Sequence, residues 1–217
     1  MNRSNFTVKR LVLLAMLAAV AYMIVALVRI PVVLFLSYEP KDVIVTIGGF
    51  LLGPMASFFV SLVVSLVEMV TISSTGPIGG LMNLLSTCAF SCTAAFVYKK
   101  RHTMAGAVCG LGLGSVTMIV VMLLWNWLIT PLYMGVSRQA VTGMLLPVFL
   151  PFNALKACFN TAFVLMLYKP LVSALRKTGL VPTKPTKQGS AKIGVYLLAA
   201  ALLASCIFLL LVLQNKI

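Results

Sequence analysis

The chain has 217 residues, 61% hydrophobic and only 9% charged, with a formal net charge of +14 and a mean hydropathy of +1.10. That composition excludes a water-soluble globular domain and defines an all-α integral membrane protein surrounded by lipid. It also argues against nucleic-acid binding, because the basic residues lie between apolar segments instead of clustering on a soluble face.

Twenty-residue windows predict spans near 11–28, 42–53, 55–72, 81–98, 107–128, 151–170 and 193–213. No cleavable signal peptide is expected, since the first apolar run is long and lacks a small-residue cleavage site. In that first span Ala15, Ala19 and Ala26 share a narrow arc with Ala18 beside them. Such a small-residue face suits packing inside a bundle and docking of another membrane protein equally. The span 42–53 is too short to cross alone and stops at Gly53-Pro54, a turn signal, so 42–53 and 55–72 are expected to form a tight helical hairpin.

On 55–72, Ser57, Ser61 and Ser65 form a stripe that Glu68 completes. Glu68 is open to three roles: pairing with Lys156, touching a ligand, or reaching the headgroups. Residues 73–80 read as a glycine-rich loop whose main chain a ligand can approach closely, or as a plain turn. Asn83 opens the fourth span, and Asn126 lies between Trp125 and Trp127 near the end of the fifth. Both suit a cavity or an interhelical hydrogen bond. Cys88 and Cys92 stand one turn apart without His, Asp or Glu nearby in sequence, so no metal site is expected. Gly106, Gly110, Gly112 and Gly114 enter an apolar span with no strand before them, which points to close helix packing rather than dinucleotide binding.

The sixth span contains Asn153, Lys156 and Asn160 at i, i+3 and i+7, on one helical face. A lysine at bilayer depth is costly unless it meets a partner, a ligand or water, so this face is a binding-site candidate. Asparagines and one lysine at the ends of different spans converge on one region if the helices form a bundle. The acidic residues are Glu39, Asp42 and Glu68 alone, and His102 is the single histidine. That set is too sparse for a hydrolase or a metalloenzyme. The G-x-x-x-x-G-K-[ST] run is missing, so nucleotide-driven work falls to another subunit. After a basic linker, 179–192, residues 193–217 hold an additional span without charge or amide in its apolar run.

With the amino terminus in the cytoplasm, twelve loop and terminal Lys and Arg lie inside and four outside, and seven spans leave the carboxyl terminus outside.

The Glu39-Pro40-Lys41-Asp42-Val43 entry to the second span, the turn from Gly49 to Pro54, the Ser74–Asn83 segment, Trp125-Asn126 with Pro131-Leu132-Tyr133, and the Pro151–Lys156 run together resemble the substrate-capture S components of energy-coupling factor (ECF) vitamin importers, most of all the riboflavin-binding kind. The entry departs from the D-F-S-D-[IV]-P run of riboflavin binders, with Asp42 matching and its neighbours not. The resemblance implies a six-helix bundle over residues 1–178, with the extra helix appended, in the cell membrane. It implies riboflavin as transported ligand rather than any cofactor, held near the outer face by Asn153, Lys156, Asn126 and the Gly79-Gly80-Leu81 stretch. Beside these, Asn83, Tyr38, Lys41, Asp42 and Glu68 are further candidates for substrate contact. It also implies a coupling subunit docking on Ala15, Ala18 and Ala19, together with two ATPase subunits. Other ligands left open are pantothenate, a queuosine precursor and folate. From a different class, a non-catalytic membrane assembly subunit would pair Lys156 with Glu68.

Overall fold

The protein is represented by a computed structural model that describes residues 3–72, 76–177 and 193–213. The linker 179–192 and residues 73–75 of the expected loop lie outside them. The chain forms helix α1 (Arg3–Leu27), a two-stranded antiparallel hairpin of β1 (Ile30–Val33) and β2 (Leu36–Tyr38), then α2 (Lys41–Leu52), α3 (Pro54–Thr71), α4 (Gly76–Arg101), α5 (Met104–Met134), α6 (Arg138–Met144), α7 (Leu150–Lys177) and α8 (Ile193–Leu213). Among the described residues, six helical stretches are long and apolar enough to cross a membrane. Helix α2, with twelve residues, spans only about 18 Å at 1.5 Å per residue, well short of a bilayer core.

Helix α2 is the centre of the bundle and packs against α1, α3, α4 and α7. Every residue from Lys41 to Phe50 is buried. Gly48 and Gly49 permit this crowding: a Cβ on Gly48 would sit 2.9 Å from a Leu17 methyl, and one on Gly49 would sit 2.0 Å from Ser57 Oγ. Gly53, at φ +98°, turns the chain directly into Pro54 at the start of α3, which gives the expected tight hairpin. Arg10 reaches from α1 and donates from Nη2 to the Leu52 carbonyl, 3.0 Å away, at the end of α2.

Helices α4 and α5 form the longest helix–helix contact in the bundle, and the α5 glycines explain it. A Cβ on Gly110 would lie 2.7 Å from the Ala94 carbonyl oxygen, and one on Gly114 would lie 2.6 Å from that of Phe90. Gly112, on another face, meets nothing. The small-residue spacing therefore lets two backbones touch.

Four elements depart from the sequence expectation. Helix α4 begins at Gly76, so Gly76–Gly80 form helix rather than loop. Helix α6, N-capped by Ser137, and a π-helical turn over Leu145–Phe149 precede α7. Pro147 and Pro151 lack the N–H groups that a continuous α-ladder needs there, and a π turn absorbs such a mismatch. The segment between α1 and α2 is a β-hairpin, with Leu34 at φ +51° in its turn. Helix α8 packs along α7 and touches β1.

Candidate functional site

The hairpin folds over one end of the bundle. Val32, Leu36 and Tyr38 pack into an apolar cluster with Phe149, Phe152, Leu155 and Phe159, which Cys206 of α8 joins. Beneath the hairpin lie two adjoining cavities that share Phe35 and Met82. One has polar walls from Arg29, Glu39, Asn83, Ser86, Asn153 and Lys156. The other is bordered by Ile78, Gly79, Trp125, Ile129, Thr130 and Tyr133. The result is a cleft polar at one end and aromatic at the other.

All three acidic residues of the chain are buried beside this cleft, each with cationic or amide partners. Asp42 ties three helices together. Its Oδ1 accepts from Thr87 Oγ1 at 2.7 Å, and its Oδ2 accepts from Asn160 Nδ2 at 3.1 Å and pairs with Lys156 Nζ at 3.3 Å. Lys41, one residue earlier, points in another direction from α2. It pairs with Glu39 Oε2 at 3.0 Å and with Glu68. Arg29 Nη2 completes this second group, 3.0 Å from Glu39 Oε1, and Asn83 Nδ2 donates to Glu68 Oε1 at 2.8 Å. Three carboxylates and three cations leave no net formal charge.

Tyr38 lies outside the cleft wall. Its hydroxyl donates to Asn160 Oδ1 at 3.1 Å, fastening β2 to α7. Burial first, and the Asp42 charge second, push its phenol far above the ordinary range, so it stays a protonated donor.

The structure brings Asn83, Asn153 and Lys156 to the polar cavity and Gly79 to the aromatic one. It places the other candidates differently. Lys41, Asp42 and Glu68 form the ionic framework behind the walls, and Glu68 meets Lys41 rather than Lys156. The reason is α2: its adjacent Lys41 and Asp42 point about 100° apart around the helix, one toward Glu68 on α3 and the other toward Lys156 on α7. Asn126 is fully buried, donating to the Met122 carbonyl at 2.7 Å and accepting from Thr130 at 2.9 Å within its own helix. Gly80 rests against Met69 of α3, where an added Cβ would stand 3.1 Å from the Met69 Cβ. Leu81 is 53% exposed and lines neither cavity. Ala15 and Ala19 are exposed on α1, whereas Ala18 is buried against α2 and α3 as part of the core.

Arg29, Phe35, Glu39 and Ser86 are wall residues that sequence reasoning did not single out. For Ser86 one signal existed: it follows Asn83 by three residues, on the same face of α4.

Residues 9–168 match the family model described as "ECF transporter, substrate-specific component". The chain belongs to that family. It is therefore a multi-pass membrane protein and a substrate-specific transporter component, not an enzyme. Two relatives agree along most of the S component. The riboflavin transporter RibU of Staphylococcus aureus (strain TCH60) is 27% identical over 178 residues, covering 78% of this chain and 93% of the relative. The riboflavin transporter FmnP of Bacillus subtilis (strain 168) is 26% identical over 184 residues, covering 78% and 96%. A solved structure described as "Structure and mechanism of the S component of a bacterial ECF transporter" superposes with a TM-score of 0.67 at 26% identity, over 78% of this chain and 99% of that one. Helix α8 lies beyond the residues that the family model matches.

Proposed function

We propose that this S component captures riboflavin, or a closely related flavin, in the cleft under the hairpin and delivers it through a coupling subunit worked by two ATPase subunits. The observation that carries this reading is the two-ended cleft. A flavin has a flat, apolar-edged ring system and a neutral polyol chain, so it needs an aromatic slot beside a set of neutral hydrogen-bonding groups. Trp125, Tyr133 and Phe35 offer the first, Asn83 and Asn153 offer the second, and Lys156, balanced by Asp42, adds a charged donor. The names of the two relatives support the same ligand. In this reading Lys41, Asp42, Glu68, Tyr38 and Asn126 set the shape of the wall from behind.

The test is a titration of the purified protein with riboflavin, followed by flavin fluorescence. Saturable quenching near one-to-one is the expected result. A folded protein that leaves the fluorescence unchanged would move the search to pantothenate, folate or a queuosine precursor.

The hairpin end faces outside and the amino terminus the cytoplasm in this reading. Support comes from charge: Lys9, Arg10, Lys99, Lys100, Arg101 and Lys169 all lie toward helix ends remote from the hairpin. The exposed small face of α1 at Ala15 and Ala19 is the proposed docking surface for the coupling subunit. Replacing both alanines with Trp is expected to abolish co-purification of the coupling module while leaving riboflavin affinity unchanged. Normal co-purification would remove this face from the interface.

A further inference from the structure

Among the described residues, four buried side-chain polar atoms have no hydrogen-bond partner: Arg29 Nε and the hydroxyls of Ser61, Ser65 and Ser86. Two of the four belong to walls of the polar cavity, Arg29 and Ser86. Ser61 and Ser65 line neither cavity.

Ser86 is 2% exposed and stands in the middle of α4. A serine in mid-helix normally satisfies itself by donating to the carbonyl four residues back. Ser115 does so toward Leu111 at 2.8 Å, Ser205 toward Ala201 at 2.9 Å, and Thr46 toward Asp42 at 2.6 Å. Ser86 does not. Its neighbours on the helix face, Met82 and Asn83, line the same cavity, so the side of α4 that carries this hydroxyl is turned to the cleft. Buried hydroxyls are almost always paired, and one left unpaired against a cavity is a partner waiting for a ligand.

We propose that Ser86 is a ligand-binding residue of this S component, its hydroxyl hydrogen-bonding a polar group of the bound molecule in the Arg29 half of the cleft. The inference rests on the flavin reading for the choice of probe. It extends the site to a hydroxyl that bonds no helix to another, unlike that of Thr87 beside it, which binds Asp42.

The experiment compares full-length wild type, Ser86→Ala, Ser61→Ala and Ser65→Ala by riboflavin fluorescence quenching and by ligand-free thermal denaturation. Removing one neutral hydrogen bond to the ligand weakens riboflavin binding about three- to tenfold in Ser86→Ala. The Ser61 and Ser65 variants bind as wild type, although their hydroxyls are as deeply buried. The ligand-free Ser86→Ala protein melts at or above the wild-type temperature, because an unsatisfied group has been removed. Wild-type affinity in Ser86→Ala, or an equal loss in all three variants, would overturn the assignment. So would a lower ligand-free melting temperature in Ser86→Ala. Failure of the wild type to quench riboflavin fluorescence is a different result, seen before any variant is compared, and it overturns the flavin reading.

Discussion

Lys41→Met lowers the stability of the ligand-free protein more than any single change in the cleft wall. Lys41 is 1% exposed and stands between the buried carboxylates of Glu39 and Glu68. Removing its ammonium leaves Glu68 with the Asn83 amide alone at Oε1, and leaves Glu39 with the half-exposed Arg29 and a longer Asn83 contact. Breaking a buried pair from one side costs about 3–5 kcal/mol, which for a chain of this size lowers the melting temperature by roughly 6–20 °C. The double variant Lys41→Met with Glu68→Gln removes both charges and is expected to recover much of that loss, because the cost lies in the stranded carboxylate. The measurement is thermal denaturation in detergent. A single variant that melts with the wild type would show that the pair contributes nothing to holding α2 against α3.

Lys156→Ala is the change with the largest expected effect on riboflavin binding. If the ammonium donates to the ligand, losing a charge-assisted hydrogen bond weakens affinity about 10- to 150-fold. The structure adds a second effect of this variant. Lys156 is the cation paired with Asp42, and its removal strands a carboxylate that is fully buried in the bundle. Both affinity and melting temperature therefore fall. Asn153→Ala provides the contrast: its amide donates only to the Phe149 carbonyl of the preceding turn, so affinity falls while stability stays near wild type. Combining Lys156→Met with Asp42→Asn is expected to restore stability without restoring affinity. Wild-type affinity in Lys156→Ala would remove this residue from the site, and recovered affinity in the double variant would show that Lys156 acts only by neutralising Asp42.

Much of the architecture was legible because membrane helices announce themselves by length and hydropathy. The seven predicted segments correspond to α1 to α5, α7 and α8, and Gly53-Pro54 marks the turn between α2 and α3. The α5 glycines were recognisable as packing residues because a bundle has few other uses for them at that spacing. The hairpin, α6 and the π turn were not legible. Each is short, and the hairpin is held by contacts of Val32 and Leu36 with Phe149, Phe152 and Phe159, which lie far away in sequence.

For the site, composition by itself determined that a protein with so few ionisable groups must pair those it buries, and helical spacing put Asn153, Lys156 and Asn160 on one face. Only the tertiary structure decided the pairing. Lys41 and Asp42 are neighbours in the chain, but successive residues on a helix point about 100° apart, so α2 at the centre of the bundle sends one toward Glu68 on α3 and the other toward Lys156 on α7. Sequence proximity cannot reveal which distant helix lies on each side. That depends on how the helices around α2 pack, and it determines which polar groups are bound within the protein and which, like Ser86, face the cleft.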